Sequence, residues 1–166
     1  MMIPVLAALI LASSGPASAV TGVATTPTVE YPTIRLARTS CLGTCPVYTV
    51  TIDPEGKVTF VGELNTEAKG TRTSRISGAD VEFLHAAVKR LPFDDLQPRY
   101  ATVKDGCAGE STGDLPSIEI TVSTAKTSKT VRYDLMCEGP AIYYDLLWLA
   151  RTIDHVSRSR QWIGEQ

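Results

Sequence analysis

The segment YTVTIDPEGKVTFVG, residues 48–62, determines the fold of this chain more than any other stretch. Residues 48–52 alternate apolar side chains with threonines, a pattern typical of a strand that buries one face. The DPEG sequence at 53–56 favours a tight turn, because proline fixes φ at its second position and glycine accepts a left-handed backbone at its end. Residues 57–62 then alternate again. The segment therefore predicts an antiparallel β-hairpin.

Three further runs alternate apolar and polar side chains, at residues 34–37, 118–122 and 131–135. A polar but β-compatible run at 70–76 predicts a weak edge strand. Alternation of this kind indicates an antiparallel sheet that buries only one of its faces. We therefore expect a sheet of four to six strands.

Two helices are predicted between and after these strands. Ser77 and Asp80 have the spacing of a capping box, and an apolar stripe at helical spacing follows until Pro92. A second stripe begins after Gly139-Pro140 and continues to Val156. One apolar stripe on each helix suits packing against the buried face of the sheet. The sequence thus predicts an α+β fold, a two-layer sandwich with both helices on one face of the sheet.

The N-terminus has the pattern of a secretory signal peptide. Residues 1–19 contain no charged side chain, and their short apolar run ends in the small residues A-S-A. We predict cleavage between Ala19 and Val20, an extended linker over 20–32 and one α+β domain over 33–166. A buried N-terminal helix is the alternative. The apolar run is too short to span a bilayer, so we expect an exported protein with no membrane span after removal of the signal. The periplasm is the favoured compartment, and full secretion is the alternative.

The charge balance argues against one class of partner. The 16 Lys and Arg and the 18 Asp and Glu all follow residue 19, and the formal net charge is −2. Because phosphate binding needs clustered Lys and Arg, nucleic acid is not an expected partner. Arg158 and Arg160 near the C-terminus are interpreted as part of a solvated tail.

Four cysteines in an exported chain predict two disulfides, with three possible connectivities. We favour Cys41–Cys45, which spans a turn containing Gly43, together with Cys107–Cys137. In the chain-entropy model the short bridge stabilises the fold by about 2 kcal/mol and the long bridge by about 4 kcal/mol.

The same thiols allow two alternatives. Cys41 and Cys45 could form a redox-active pair, although thiol oxidoreductases place two residues, not three, between their cysteines, and place them at a helix start. A zinc site of all four thiols is the other alternative, but residues 107 and 137 lack the paired spacing of zinc modules. No metal and no cofactor are therefore predicted.

Other candidates for chemistry are isolated in the sequence. His85 and His155 have no acid or nucleophile nearby, so a hydrolase would need a site assembled from distant segments. Asp105, Glu110 and Asp114 cluster loosely, but without the spacing of a calcium loop, and turn capping is the commoner use of such residues.

Three aromatic residues lie on the last predicted helix, Tyr143, Tyr144 and Trp148. Aromatic side chains at helical spacing belong more often to a core than to a ligand platform. Trp148 falls off the main apolar stripe, which hints at a partner surface.

The segment RTSCLGTCPVYTVTI, residues 38–52, resembles the hallmark of a bacterial family catalogued as a domain of unknown function (family 6438), whose pattern is R-T-x-C-x-G-T-C-P-x-Y. Residues 112–117, Cys137, the helix ending at Asp154 and the RQWI segment at 160–163 are similar to later parts of the family pattern. The resemblance implies an exported bacterial protein. It implies no activity, and therefore no catalytic residue.

The sequence as a whole favours a non-enzymatic exported domain that binds a protein or an envelope ligand, because a well-patterned fold lacks any catalytic motif. A thiol–disulfide redox protein using Cys41 and Cys45 is the first alternative, and a hydrolase with a spatially assembled site is the second. The residues of the candidate interaction loop are Arg38, Thr39, Gly43, Thr44 and Asp114.

Overall fold

The computed structural model describes residues 30–109 and 115–164. The predicted cleavage point between Ala19 and Val20, most of the predicted linker, and the acidic residues Glu110 and Asp114 lie outside the described residues. Within these ranges the chain forms seven strands and three α-helices. The strands are β1 (Thr33–Arg38), β2 (Val47–Ile52), β3 (Lys57–Leu64), β4 (Gly70–Arg75), β5 (Arg99–Tyr100), β6 (Ser117–Ser123) and β7 (Ser128–Asp134). The helices are α1 (Gly78–Lys89), α2 (Ile142–Ser157) and α3 (Arg160–Ile163).

The strands form one sheet in the order β4-β3-β2-β1-β6-β7-β5. Neighbouring strands are antiparallel, except that β5 runs parallel to β7. The predicted hairpin is β2–β3, and its turn is closed by the Asp53 carboxylate, which accepts hydrogen bonds from the backbone N–H groups of Glu55 and Lys57. Gly56 has φ +79°, the left-handed conformation expected at this position.

The fold is α+β, as expected, but the sheet of the described residues is larger than the four to six strands predicted and is not wholly antiparallel. The additional strand is β5, which has only two residues. A two-residue strand carries no readable alternation. It exists because Arg99 and Tyr100 pair with β7 and because the backbone N–H of Arg132 donates to the carbonyl of Pro98.

Both long helices contribute to a single hydrophobic cluster with alternate residues of the strands. Helix α1 begins at the predicted capping box, in which Ser77 and Asp80 exchange hydrogen bonds between side chain and backbone. The largest fully buried side chains come from the strands and from both helices: Leu36, Val50, Val58, Phe60, Ile118, Ile120, Val131, Tyr133, Leu84, Leu146, Leu149 and Ile153. No helix within the described ranges combines the length and the apolarity needed to cross a bilayer.

The C-terminal segment is not the solvated tail that we predicted. It forms α3, whose Trp162 ring packs 5.2 Å from the ring of Phe60. The backbone N–H of Ala68 also donates to the carbonyl of Trp162. The side chains of Arg158 and Arg160 are exposed, as expected, but they are held on an ordered element. The contacts that order this segment involve residues far away in sequence, so the tail composition gave no sign of them.

The two disulfides join Cys41 to Cys45 and Cys107 to Cys137, the pairs favoured from the sequence, with Cα–Cα distances of 5.7 and 5.0 Å. The second bridge is buried in the core, whereas the first closes a loop at the surface. Since all four cysteines of the chain are paired, no thiolate remains for the zinc alternative.

A candidate binding cleft beside the disulfide loop

An ion pair between Arg38 and Asp154 forms the centre of the candidate site. Arg38 is the last residue of β1, and Asp154 lies near the end of α2. The guanidinium donates to Asp154 Oδ2 from Nη2 at 2.8 Å and from Nε at 3.2 Å. The two side chains are only 22% and 19% exposed. Charged groups removed this far from water need further hydrogen bonds to remain favourable.

Tyr48 supplies one of these hydrogen bonds. It lies opposite Arg38 in the register of β1 and β2. Its hydroxyl accepts from Arg38 Nε at 2.9 Å and donates to Asp154 Oδ1 at 2.8 Å. The ring of Tyr48 stacks on Phe60 in the core, with 5.4 Å between centroids. Tyr48 therefore connects the hydrophobic core to the polar site.

Ser159 supplies a second hydrogen bond to Asp154. Arg158 ends helix α2 in the left-handed conformation, with φ 56°, and this turns the chain back on itself. The buried Ser159 hydroxyl then donates to Asp154 Oδ1 at 2.8 Å. The Asp154 carboxylate thus joins β1, β2, α2 and the segment that leads into α3.

Burial and the neighbouring charges fix the protonation states of this group. Burial, together with the adjacent Asp154 carboxylate, raises the pKa of Tyr48 well above its ordinary value. Burial lowers the pKa of Arg38, but Asp154 and Tyr48 outweigh that effect, so the pKa is raised overall. Near neutral pH, Arg38 is a permanent cation and Tyr48 is a protonated hydrogen-bond donor. Neither side chain can act as a general base or nucleophile there.

A second polar contact, between Thr39 and Ser117, lies next to this network. The backbone N–H of Thr39 donates to the Ser117 carbonyl at 3.0 Å, and the backbone N–H of Ser117 donates to Thr39 Oγ1 at 2.8 Å. Ser117 is buried at the start of β6. This reciprocal pair of hydrogen bonds holds the end of β1 against the start of β6, just before the chain enters the disulfide loop.

These elements enclose a cleft of about 350 Å³. Its polar wall includes Arg38, Thr39, Ser117 and Asp154 from the network described above. Arg160 of α3 also lines the cleft. The remaining wall is largely apolar, with Pro46, Leu135 and Ile163 among its members. The cleft lies beside the disulfide loop, because Cys45 is part of its lining.

The lining of the cleft has an excess of positive charge. Arg38 and Arg160 are its cations and Asp154 is its only acid. Asp154 is already bonded to Arg38, whereas Arg160 takes part in none of the ion pairs found among the described residues. The cleft therefore presents an arginine that is held rigidly and a second that is free to bind.

Comparison with known proteins assigns a family to this framework. The family described as Domain of unknown function (DUF6438) matches residues 32–157, well over half of the chain. The chain belongs to this family. The matched region contains Arg38, Tyr48, Ser117 and Asp154, while Arg160 and the rest of α3 lie beyond it. A comparison with curated proteins finds no match. Membership of the DUF6438 family supplies no activity, so the function has to be argued from the site itself.

The structure brings together part of the interaction loop predicted from the sequence. Arg38 and Thr39 line the cleft of this DUF6438 domain, whereas Gly43 and Thr44 lie exposed in the disulfide loop. Asp114 lies outside the described residues. Leu42, between the two cysteines, is 95% exposed.

Four polar residues of the cleft were not selected as site candidates from the sequence: Tyr48, Ser117, Asp154 and Arg160. Tyr48 follows the alternation of β2 and was interpreted only as a core residue. Asp154 had one available signal, since it ends the helix segment that resembles the family pattern. An acid between two apolar residues of a helical stripe, here Ile153 and Val156, has a place at the edge of the core, where it needs a partner.

The redox alternative finds little support in the geometry of the DUF6438 loop. Cys41 and Cys45 lie in an irregular segment between β1 and β2, not at the N-terminus of a helix. A helix start is one of the features that lower the pKa of the attacking thiol in thiol oxidoreductases. The loop lacks that feature, and its two cysteines are joined to each other as a disulfide.

The hydrolase alternative also lacks its central contact. His85 packs edge-on against Tyr31, with 4.9 Å between ring centroids, and burial followed by the charge of Lys89 lowers its pKa. His155 is exposed on α2. Within the described residues, neither histidine has a hydrogen bond to a hydroxyl or a carboxylate, and the Ser77 and Ser159 hydroxyls bond directly to acids. The nucleophile–base contact that a triad requires is therefore missing from these ranges.

The acidic cluster and the aromatic residues have other roles in the structure. Asp105 accepts from the backbone N–H groups of Ala101 and Thr102 and caps a short 3₁₀ turn. No group of three potential metal-ligating side chains occurs in residues 30–109 and 115–164.

Tyr143 contacts the buried Tyr133, while Trp148 is 37% exposed beneath the guanidinium of Arg90. Tyr144 is exposed beside it.

Proposed function

We propose that this DUF6438 protein is an exported, non-enzymatic binding domain of the periplasm, and that it binds its partner in the cleft beside the disulfide loop. Two disulfides in one small domain are consistent with an oxidising compartment. The groups that line the cleft hold charge and donate hydrogen bonds, and its lining contains no histidine and no free thiol.

The observation that carries the proposal is the rigid presentation of Arg38 in an open cleft. Asp154 and Tyr48 hold the guanidinium by three hydrogen bonds of 2.8–3.2 Å. A partly buried ion pair is weak evidence of a gain in stability, because desolvation offsets much of the attraction. An arginine fixed in advance loses little side-chain entropy when it binds, and this favours recognition.

The disulfide loop supports the same conclusion. The bridge between Cys41 and Cys45 restricts a short surface loop, and Asn65 Nδ2 donates to the carbonyl of Cys45 at 3.1 Å. Leu42 is thereby displayed at the surface next to the cleft. Apolar side chains on restricted surface loops suit contacts with a protein partner, because little freedom is lost on association.

Photo-crosslinking in the native host tests the proposal. The chain is expressed with its own N-terminus and with Leu42→p-benzoylphenylalanine, and crosslinked products from the envelope are compared with and without Arg160→Glu. We expect a discrete adduct that disappears in the Arg160→Glu variant.

The matched control is Arg72→Glu, which reverses the charge of another exposed arginine. Arg72 lies on the edge strand β4, and within the described ranges its guanidinium donates to the carbonyls of Lys69 and Thr71. This control must keep the adduct. An adduct that is insensitive to Arg160→Glu, or that forms equally from a probe at Phe83 on α1, would contradict the assignment of the cleft.

A further inference from the structure

We infer that the cleft recognises the free carboxylate at the C-terminal end of a peptide whose last side chain is apolar. The inference rests on the proposed function and specifies the ligand class of the same site. Three properties of the described residues support this ligand: the hydrogen-bond donors still available, the charge balance, and the division of the lining into a polar and an apolar wall.

The first property is the set of free donors. In Arg38, Nε and Nη2 are bonded to Tyr48 and Asp154, but Nη1 has no partner among the described residues. The guanidinium of Arg160 has no hydrogen bond or ion pair there either. Guanidinium groups present planar N–H donors whose geometry matches the two oxygens of a carboxylate. The cleft thus offers donors from two arginines to one planar anion.

The second property is the charge of the lining. Two arginines and one aspartate leave a single excess positive charge. A carboxylate neutralises it, whereas a phosphate dianion would place excess negative charge beside Asp154. The charge balance therefore favours a monoanion. The lining contains no lysine, so both cations are planar guanidinium groups.

The third property is the apolar wall. Pro46, Leu135 and Ile163 line the same cleft as the arginines. A carboxylate with an apolar group close to it matches this arrangement, and the last residue of a peptide chain has that composition. The volume of about 350 Å³ lies at the small end of ligand pockets, which suits one or two residues and not a folded surface. Thr39 and Ser117 already bond each other and leave few donors for a peptide backbone, so recognition rests on the carboxylate and the apolar side chain.

Fluorescence anisotropy with labelled hexapeptides tests the inference on the chain produced in its host. Each peptide ends in Leu, Ile, Val, Phe or Ala and is made once with a free C-terminal carboxylate and once as the amide. For at least one apolar terminus, we expect the free acid to bind about tenfold or more tightly than its amide, the effect of losing a charged hydrogen bond. Arg160→Ala should reduce binding of the acid by a similar factor and leave the amide unchanged.

Arg38→Lys provides a second variant that keeps the positive charge but removes the planar donors, and it should also weaken binding of the acid. The control is Arg72→Ala, which removes an exposed arginine outside the cleft and should leave binding unchanged. Denaturation curves show that each variant is folded before its affinity is compared.

The possible outcomes separate the two proposals. Equal affinity for acids and amides overturns the inference about the carboxylate, and so does acid binding that is unchanged by Arg160→Ala. If no peptide binds while the crosslink from position 42 still depends on Arg160, the carboxylate inference is wrong and the cleft remains the binding site. If that crosslink is also independent of Arg160, the proposed function fails as well.

Discussion

Replacement of Asp154 by alanine removes the acceptor shared by Arg38, Tyr48 and Ser159. The carboxylate receives four side-chain hydrogen bonds of 2.8–3.2 Å from these residues. A hydrogen bond to a charged group contributes about 1.5–3 kcal/mol, and a buried donor left without an acceptor costs about 1–3 kcal/mol. Breaking a fully buried ion pair costs about 3–5 kcal/mol.

The expected loss for Asp154→Ala is smaller than that limit. Arg38 and Asp154 are each about a fifth exposed, so water can replace part of the lost interaction. We therefore expect a decrease of about 3 kcal/mol in the free energy of unfolding. Small domains are stable by about 5–15 kcal/mol, so the variant should still fold.

Urea denaturation followed by tryptophan fluorescence measures this decrease. A double-mutant cycle with Arg38→Ala isolates the ion pair from the other contacts, and we expect a coupling energy of at least about 1 kcal/mol. If Asp154→Ala lowers the free energy of unfolding by less than about 1 kcal/mol, or if the two substitutions are additive, the network does not hold Arg38 as described.

Two further predictions concern pH and the disulfides. Burial raises the pKa of Tyr133 to about 12, from an unfolded value of about 10. The folded state therefore favours the neutral phenol. The contribution of Tyr133 to the free energy of unfolding is full below about pH 10 and is lost as the pH rises towards 12. Denaturation curves at increasing alkaline pH should show this loss, and Tyr133→Phe should reduce it; an identical pH dependence in both proteins would contradict the role of Tyr133. Removal of the Cys107–Cys137 bridge with paired alanines should cost about 4 kcal/mol, against about 2 kcal/mol for the Cys41–Cys45 bridge. Urea denaturation compares the free energies of unfolding of the two variants, and peptide mapping of the unreduced protein checks which cysteines are joined. A larger decrease on removal of Cys41–Cys45 than of Cys107–Cys137 would refute the expected order.

Much of the fold could be predicted from local patterns. The β2–β3 hairpin follows from the alternation on both sides of the turn at residues 53–56, and α1 begins at the capping box of Ser77 and Asp80. These features depend on side chains within a few positions of one another. Strand β5 and helix α3 could not be predicted in the same way, because each is too short to show a period and is held by distant contacts.

The candidate site was only partly visible in the sequence. Arg38 and Thr39 were selected because they stand beside the cysteines of the family motif. Tyr48 was not selected, because its position in an alternating strand is fully explained by burial of its ring. Its hydroxyl belongs to the polar network only because Arg38 lies opposite Tyr48 in the pairing of β1 and β2.

The sequence by itself determined the α+β class, the central hairpin, the first helix cap and the cysteine pairs that were favoured. Only the tertiary structure decided that these parts form a cleft. Arg38 and Asp154 are 116 positions apart, and Tyr48 and Asp154 are 106 positions apart. Local sequence patterns record which face of an element is apolar, but they do not record which polar groups at the edges of those faces meet when helix and sheet pack together. That packing turns an isolated acid and an isolated arginine into a rigid cation beside an open cleft.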